Sequence, residues 1–213
     1  MNEKQHLSLI SHYEACLDQH GDTHLGVDWP NADDVATRHR VMLDLLKSSP
    51  HSGGEKISLL DFGCGASHLL EYLREHDFEQ VEYTGLDLSA KFIALSRSKF
   101  PETEYLCLDV LDENARLREF DYIVMNGVFT EKRELTFDEM FDYFSRVLGK
   151  VFPSARLGLA FNVMSKHVDW ERDDLFHLPF DTMAAFVRNN VTGNFVIRND
   201  YGLFEYTVYL YRQ

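Results

Sequence analysis

Residues 59–73 read LLDFGCGASHLLEYL. The apolar run at the start of this stretch predicts a buried strand, and the apolar spacing at its end predicts a helix. Gly63 and Gly65 allow a tight turn between the two and a close approach of a ligand to the backbone. The helix predicted to begin near Ala66 would point free N–H groups at that ligand. The stretch therefore predicts a strand, a turn and a helix around a ligand site.

The alternation of strand and helix patterns continues to the C-terminus. Predicted strands lie in VEYTGLDLS, EYLCLDV, FDYIVMNGV and ARLGLAFNVMS, and helical patterns separate most of them. This alternation predicts an α/β fold with an open, mostly parallel sheet and helices on both faces. The last two predicted strands, in NFVIRND and FEYTVYLYR, are joined by a turn too short for a parallel crossover, so they should form an antiparallel hairpin.

The predicted organisation is a single domain with an N-terminal extension. Residues 1–55 carry helical patterns over 3–18 and from Asp33 onward, and we interpret them as a lid. The Pro/Gly/Ser stretch SSPHSGGE is the predicted boundary, and residues 56–213 form the predicted ligand-binding core. A length of 213 residues is typical of one sizeable domain.

Composition limits the classes of partner. The net charge is −14, from 35 acids against 21 Lys and Arg, which disfavours nucleic acids and anionic membranes. The three cysteines are scattered, which disfavours a disulfide framework and favours a reducing compartment. No signal-peptide pattern and no apolar run of about 18 residues is present. We therefore expect a cytoplasmic location.

Three acids follow or end the first three predicted strands of the core. Asp61 lies two residues before Gly63, where it would repel a pyrophosphate but attract an ammonium group. Asp87 ends the second strand, where a carboxylate can accept both hydroxyls of a ribose. Asp109 follows the third strand, where it can accept a hydrogen bond from an adenine amino group, although the nearby Asp112 leaves the register open. The three acids would thus bind, in this order, an amino acid, a ribose and an adenine. S-adenosylmethionine is a ligand that contains all three groups.

These residues resemble the class I S-adenosylmethionine-dependent methyltransferase family. The acid-x-G-x-G signature matches residues 61–65, and the acids of strands two and three match Asp87 and Asp109. Ser67 departs from the family, since a third glycine is frequent there. The resemblance covers about residues 56–213 and implies seven strands in the order 3-2-1-4-5-7-6, with strand 7 antiparallel.

The resemblance implies methyl transfer from S-adenosylmethionine to a small-molecule acceptor by in-line displacement. The residues it places at the cofactor are Asp61, Gly63, Cys64, Gly65, Asp87, Leu88, Asp109, Val110, Asn126 and Gly127. Trp29, Arg38 and Tyr201 are candidates for the lid or the acceptor site, and His167 is the candidate general base. Arg38 could meet the cofactor carboxylate, but we favour a position on the helix surface for Arg38 and His39. No metal site is expected.

Other functions stay open. An acidic surface could attract a basic protein, so methylation of a protein side chain is the second enzymatic hypothesis. A non-catalytic S-adenosylmethionine-binding module would keep the same acids. An NAD-dependent oxidoreductase is disfavoured by Asp61 and by the terminal hairpin. RNA and DNA substrates are disfavoured because the sequence has no basic tract and no N/D-P-P-Y element. The oligomeric state is open.

Overall fold

Seven strands and six α-helices form the part of the chain that the computed structural model describes, residues 7–48 and 55–212. The strands are β1 (Ile57–Phe62), β2 (Val81–Asp87), β3 (Glu104–Cys107), β4 (Phe120–Phe129), β5 (Ala155–Met164), β6 (Phe195–Arg198) and β7 (Glu205–Tyr211). The α-helices are α1 (Leu7–His20), α2 (Asp33–Leu43), α3 (His68–Glu75), α4 (Ala90–Lys99), α5 (Phe137–Val151) and α6 (Phe180–Asn190). Short 3-10 helices lie at His24–Val27, Asp44–Ser48 and Phe152–Ser154.

The strands form one sheet in the order β3-β2-β1-β4-β5-β7-β6. Strand β7 is antiparallel to both β5 and β6, and the other neighbours are parallel. The fold class, the strand order and the terminal hairpin are as predicted. Because β1 and β2 pair in register from Ile57↔Val81 to Phe62↔Leu86, their carboxyl ends lie side by side.

The central strands are apolar on both faces, which explains their continuous hydrophobic runs. In β4, Ile123 and Met125 belong to a core that includes Phe144 of α5. Tyr122 and Val124 point the other way, into a core shared with residues of α2 and α3. Side chains alternate along a strand, so one apolar segment supplies both cores.

The N-terminal extension packs into the same molecule. Met42 and Leu43 of α2 join the core on one face of the sheet. Leu17 of α1 packs with Ala66 and Phe92. The predicted boundary SSPHSGGE lies largely outside the described residues, since 49–54 are not described. Of the helices in the described ranges, none is both long and apolar enough to cross a membrane.

Candidate functional site

A cavity lies at the carboxyl ends of the parallel strands, where open α/β sheets bind ligands. All the residues predicted for the cofactor lie in its wall. These are Asp61, Gly63, Cys64, Gly65, Asp87, Leu88, Asp109, Val110, Asn126 and Gly127. The wall also contains residues of α1, α2 and the turn between them, namely Leu9, Ile10, Tyr13, Val27, Trp29 and His39. The structure therefore brings together strand ends that are far apart in the sequence.

The turn after β1 requires its glycines. Gly63 and Gly65 have φ angles of 76° and 50°, in the left-handed region that favours glycine. A Cβ on Gly63 would lie 2.7 Å from Cγ2 of Val128, so a side chain there would also clash. The N–H groups of Gly63 and Cys64 both donate to the Leu86 carbonyl, at 2.7 and 2.9 Å. These bonds tie the turn to β2.

Ser67 occupies the position where the family frequently has a third glycine, and its φ is 62°. Helix α3 begins after it, at His68, so the prediction of a start near Ala66 was two residues early. The Ser67 hydroxyl donates to Ser96 Oγ at 2.8 Å and lies 3.0 Å from the Tyr105 hydroxyl. These buried hydrogen bonds help to offset the cost of a left-handed non-glycine residue.

Asp87 joins β2 to the glycine turn. Its Oδ2 accepts from the Gly65 N–H at 2.9 Å, and its Oδ1 accepts from the Ser89 N–H at 2.8 Å. Burial raises the pKa of the carboxyl, and the two backbone donors oppose that shift. A carboxylate has about four acceptor positions, so each oxygen can still accept a hydrogen bond from a ligand.

Asp61 is a buried acid beside a second one. Its side chain is 3% exposed, and Oδ2 accepts a hydrogen bond from the Tyr83 hydroxyl at 2.8 Å. Burial raises the pKa of Asp61 to about 7; the Tyr83 hydrogen bond lowers it and the charge of Asp87 raises it. A strongly shifted acid in a cleft is a common mark of a functional site, and a cationic ligand would favour its charged form.

Asp109 lies in the wall of the cavity with Val110. Its Oδ1 accepts from the Leu111 N–H at 2.9 Å, which holds the loop after β3 in a turn. Asp112, which left the register open, accepts instead from the Asn114 N–H at 2.7 Å and is not among the described residues of the wall. Asp109 is therefore the better candidate of the two for the contact with adenine.

Asn126 and Gly127 end the straight part of β4. The Asn126 side-chain oxygen and nitrogen are buried, and neither has a hydrogen-bond partner among the described residues. The Gly127 N–H donates to Asn162 Oδ1 at 2.7 Å. A buried amide without partners is costly, so Asn126 offers a donor and an acceptor to a ligand in the cavity.

Residues of the N-terminal extension line the cavity at the end of β4. The Tyr13 hydroxyl donates to the Gly127 carbonyl at 3.3 Å. Gly127 has a φ of 81°, and a Cβ there would lie 3.3 Å from Nε1 of Trp29, so the indole packs directly on this glycine. The Trp29 carbonyl lies 2.6 Å from Nδ1 of His24, which holds the turn in place. Both aromatic residues therefore contact the end of β4 at Gly127.

Arg38 and His39 are not surface groups, and that expectation was wrong. His39 is 2% exposed and lies in the cavity wall, and burial lowers its pKa to about 3. Arg38 lies over the Trp29 ring at 5.2 Å and donates from Nε to Glu205 Oε2 at 3.1 Å. Its Nη1 is buried without a hydrogen-bond partner among the described residues. His39 is buried because α2 packs against the sheet, whereas the Arg38 side chain is 14% exposed and is not among the described residues of the cavity wall.

His167 and Tyr201 do not belong to the described wall of this cavity. The His167 ring stacks on Phe180, with 4.8 Å between ring centroids. The Tyr201 hydroxyl lies 3.0 Å from Oγ1 of Thr207, and burial raises its pKa. Roles for His167 as a base and for Tyr201 at the acceptor stay predictions.

Two sequence comparisons match the chain to methyltransferases. A family model described as a methyltransferase domain matches residues 60–150, which run from β1 into α5. A protein of Mycobacterium tuberculosis that is named as a methyltransferase is 26% identical over 162 residues. That alignment covers 74% of this chain and 94% of the relative.

Solved methyltransferase structures have a similar fold. Magnesium protoporphyrin IX methyltransferase from Synechocystis, with bound SAH, aligns with a TM-score of 0.60 and 12% identity, over 83% of this chain and 82% of its own. A second structure is that of the 1,6-didemethyltoxoflavin-N1-methyltransferase of Burkholderia thailandensis, with bound 1,6-didemethyltoxoflavin and S-adenosylhomocysteine. It aligns with a TM-score of 0.58 and 17% identity, over 95% of this chain and 90% of its own. At these identities the likeness concerns the fold alone.

Proposed function

We propose that the chain is a class I S-adenosylmethionine-dependent methyltransferase that transfers the methyl group to a small-molecule acceptor. The observation that carries the proposal is the convergence of Asp61, Asp87 and Asp109 on one cavity. This cavity lies beside a glycine turn that leaves backbone accessible.

The residues of the cavity fit S-adenosylmethionine in charge and in hydrogen-bonding groups. The buried acid Asp61 and the partly buried acid Asp87 lie in the wall, which suits a ligand with an ammonium and a sulfonium group. Asn126 offers an unpartnered amide oxygen and nitrogen. Gly63 and Gly65 adopt left-handed backbone angles beside the cavity, so the turn can present its backbone to the cofactor without a Cβ in the way.

Each acid has a proposed contact. Asp87 would accept hydrogen bonds from the two ribose hydroxyls with the acceptor positions that Gly65 and Ser89 leave free. Asp61 would attract the ammonium group, directly or through water. Asp109 would accept from the adenine amino group, and the buried side chain of Val110 would contact the ring. Leu88 and Cys64 would supply packing surface.

Arg38 is the proposed partner of the cofactor carboxylate. Its Nη1 carries donors without partners, and Glu205 and Trp29 hold the rest of the guanidinium. Glu205 in turn accepts from Asn162 Nδ2 at 2.9 Å. Since Asn162 also accepts from the Gly127 N–H, this chain of hydrogen bonds connects Arg38 to the end of β4.

When bound, S-adenosylmethionine supplies an electrophilic methyl group on a sulfonium. The role of the protein is to position that methyl group and the acceptor and to exclude water. Tyr13 and Trp29 cover the end of β4, and His39 adds a neutral imidazole to the wall because its pKa is near 3. Fixed reactants in such a site react with effective molarities up to about 10⁵–10⁸ M.

A small molecule is the proposed acceptor because the lid covers the end of β4, where the acceptor must meet the methyl group. Access for a side chain of a folded protein would require displacement of Tyr13 or Trp29. The toxoflavin-precursor methyltransferase, whose fold this chain shares, acts on a small molecule. We also propose a cytoplasmic location and no nucleic-acid substrate, given the net charge of −14.

Calorimetry with S-adenosylmethionine, S-adenosylhomocysteine and NAD tests the cofactor site. We expect both sulfur compounds to bind and NAD not to bind. A screen of small amines, phenols, thiols and carboxylic acids for S-adenosylhomocysteine release then tests the acceptor class, with Asp87→Ala as the control whose cofactor binding should be weakened. Turnover with a basic protein and with none of the small molecules would contradict the small-molecule proposal.

A further inference from the structure

Three metal-ligating side chains meet beside the cavity, at the contact of α1 with the turn that follows it. They are His12, Cys16 and Asp28, and the proposed methyl transfer uses none of them. The ligand atoms of the three lie within 4.8 Å of one another. We propose that they form a binding site for a divalent cation of the zinc class.

The local structure places the three side chains for this role. His12 and Cys16 are four residues apart on α1, so they project from the same face of the helix. Asp28 ends the 3-10 helix His24–Val27 with a left-handed φ of 58°. Its Oδ2 lies 2.6 Å from Nε2 of His12, and the same Nε2 lies 3.7 Å from Sγ of Cys16.

The geometry favours a cation over a proton relay. A nucleophilic Cys–His–Asp relay needs the thiol on one ring nitrogen and the carboxylate on the other. Here Nε2 of His12 faces both the Asp28 oxygen and the Cys16 sulfur. Three ligand atoms within 4.8 Å of one another, with the imidazole nitrogen next to the other two, are arranged as ligands of a metal ion.

The distances and ligand types suit zinc. Tetrahedral coordination places nitrogen and sulfur ligands about 3.6 Å apart, close to the observed 3.7 Å. It places nitrogen and oxygen about 3.4 Å apart, so the observed 2.6 Å must widen by less than about 1 Å. Imidazole, thiolate and carboxylate together are a borderline-soft set, which disfavours Mg²⁺ and Ca²⁺.

The surroundings leave the site accessible and acidic. The side chains of His12 and Asp28 are 21% and 31% exposed, so an ion can enter from solvent. Arg133, whose charge acts on Cys16, is paired with Glu131 and Asp174 at 3.3 and 3.2 Å. Because His12 and Cys16 lie on α1 and Asp28 precedes Trp29, a bound cation would link the two parts of the lid.

Titration of metal-free protein with Zn²⁺ against a colorimetric zinc chelator tests the site, with no S-adenosylmethionine present. We expect one equivalent to bind. Cys16→Ser, His12→Gln and Asp28→Asn should each weaken binding at least about tenfold, since the loss of even a residue that only orients a ligand costs about 10–100-fold in metal affinity. Asparagine tolerates the left-handed conformation of Asp28, so that variant keeps the turn.

Matched controls come from the same chain. His20→Gln in the last turn of α1 and Cys107→Ser at an exposed free cysteine should bind Zn²⁺ as the unaltered protein does. Co²⁺ should give a thiolate charge-transfer absorption that Cys16→Ser lacks. Binding well below one equivalent, or full affinity in both Cys16→Ser and Asp28→Asn, would overturn the proposal. Neither result bears on cofactor binding, which calorimetry measures separately.

Discussion

Tyr83 donates the hydrogen of its hydroxyl to Asp61 Oδ2 at 2.8 Å, across the paired strands β1 and β2. Asp61 lies directly beside the glycine turn, so this bond controls the charge of an acid in the cavity wall. Burial raises the pKa of Asp61 to about 7 even though this bond lowers it. The protonation of Asp61 therefore changes in the range where cells operate.

We predict that S-adenosylmethionine binds more tightly as the pH rises toward about 7. A cationic ligand favours ionised Asp61, so the complex holds fewer protons than the free protein, whose Asp61 pKa is raised to about 7. The affinity should rise by up to about tenfold per pH unit below that value and level off above it. Calorimetry from pH 5.5 to 8.5 measures this.

Two variants sharpen that test. Tyr83→Phe removes a hydrogen bond to a charged group, worth about 1.5–3 kcal/mol, and should therefore raise the pKa of Asp61. The pH at which the affinity levels off should then be about one to two units higher. Asp61→Asn should weaken binding and remove the dependence. A dependence that persists in Asp61→Asn would assign the titration to another group.

We predict that Asp87→Ala weakens S-adenosylmethionine binding by about 1–3 kcal/mol, because ribose hydroxyls would lose their acceptor. The variant also frees the N–H groups of Gly65 and Ser89, so its thermal stability must be measured alongside. Asp112→Ala is the matched control, since Asp112 bonds its own loop and lies outside the described cavity wall. Equal dissociation constants for both variants would place the ribose elsewhere.

The same substitution should act in opposite directions at two glycines. Gly63→Ala places a Cβ 2.7 Å from Val128 in a backbone with φ of 76°, so it should destabilise the fold by at least about 1–2 kcal/mol. In Gly149→Ala, within α5, the new Cβ meets nothing within 4 Å beyond its chain neighbours and the backbone of its own helix, so the variant should be more stable by about 0.5–1 kcal/mol. Urea unfolding measures both. Similar changes at the two positions would mean that the turn tolerates a side chain.

Most of the fold could be predicted from local sequence patterns. Strands β1, β4 and β5 are covered on both faces, so their apolar runs are long and easy to recognise. The cavity acids could be predicted for a related reason. Asp61 and Asp87 lie at strand ends, and the carboxyl ends of neighbouring parallel strands meet at one edge of the sheet.

Contacts that depend on how a helix packs or on the register of two strands were harder to predict. His39 follows Val35 and precedes Met42 at helical spacing, which was a usable signal of burial, but only the packing of Trp29 and Tyr72 against it decides the matter. The role of Tyr83 depends on the register that pairs it with Leu59, two residues from Asp61. Such contacts between distant segments have no local signature in a single sequence.

The two tryptophans of the chain allow a direct test of the lid. Trp29 packs on Gly127 at the cavity, whereas the side chain of Trp170 is 72% exposed and is not among the described residues of the wall. We predict that Trp170→Phe keeps a change in indole fluorescence when S-adenosylhomocysteine binds, because the remaining Trp29 lies against the ligand site.

Trp29→Phe should lose that change, and Trp29→Ala should release the ligand about tenfold faster, since a lid residue that excludes water is removed. Trp170→Ala is the control of the same residue type and should release the ligand at the unaltered rate. Stopped-flow displacement of labelled S-adenosylhomocysteine measures these rates. A fluorescence change that follows Trp170, or equal rates in the two alanine variants, would show that the turn at Trp29 does not close on the bound ligand.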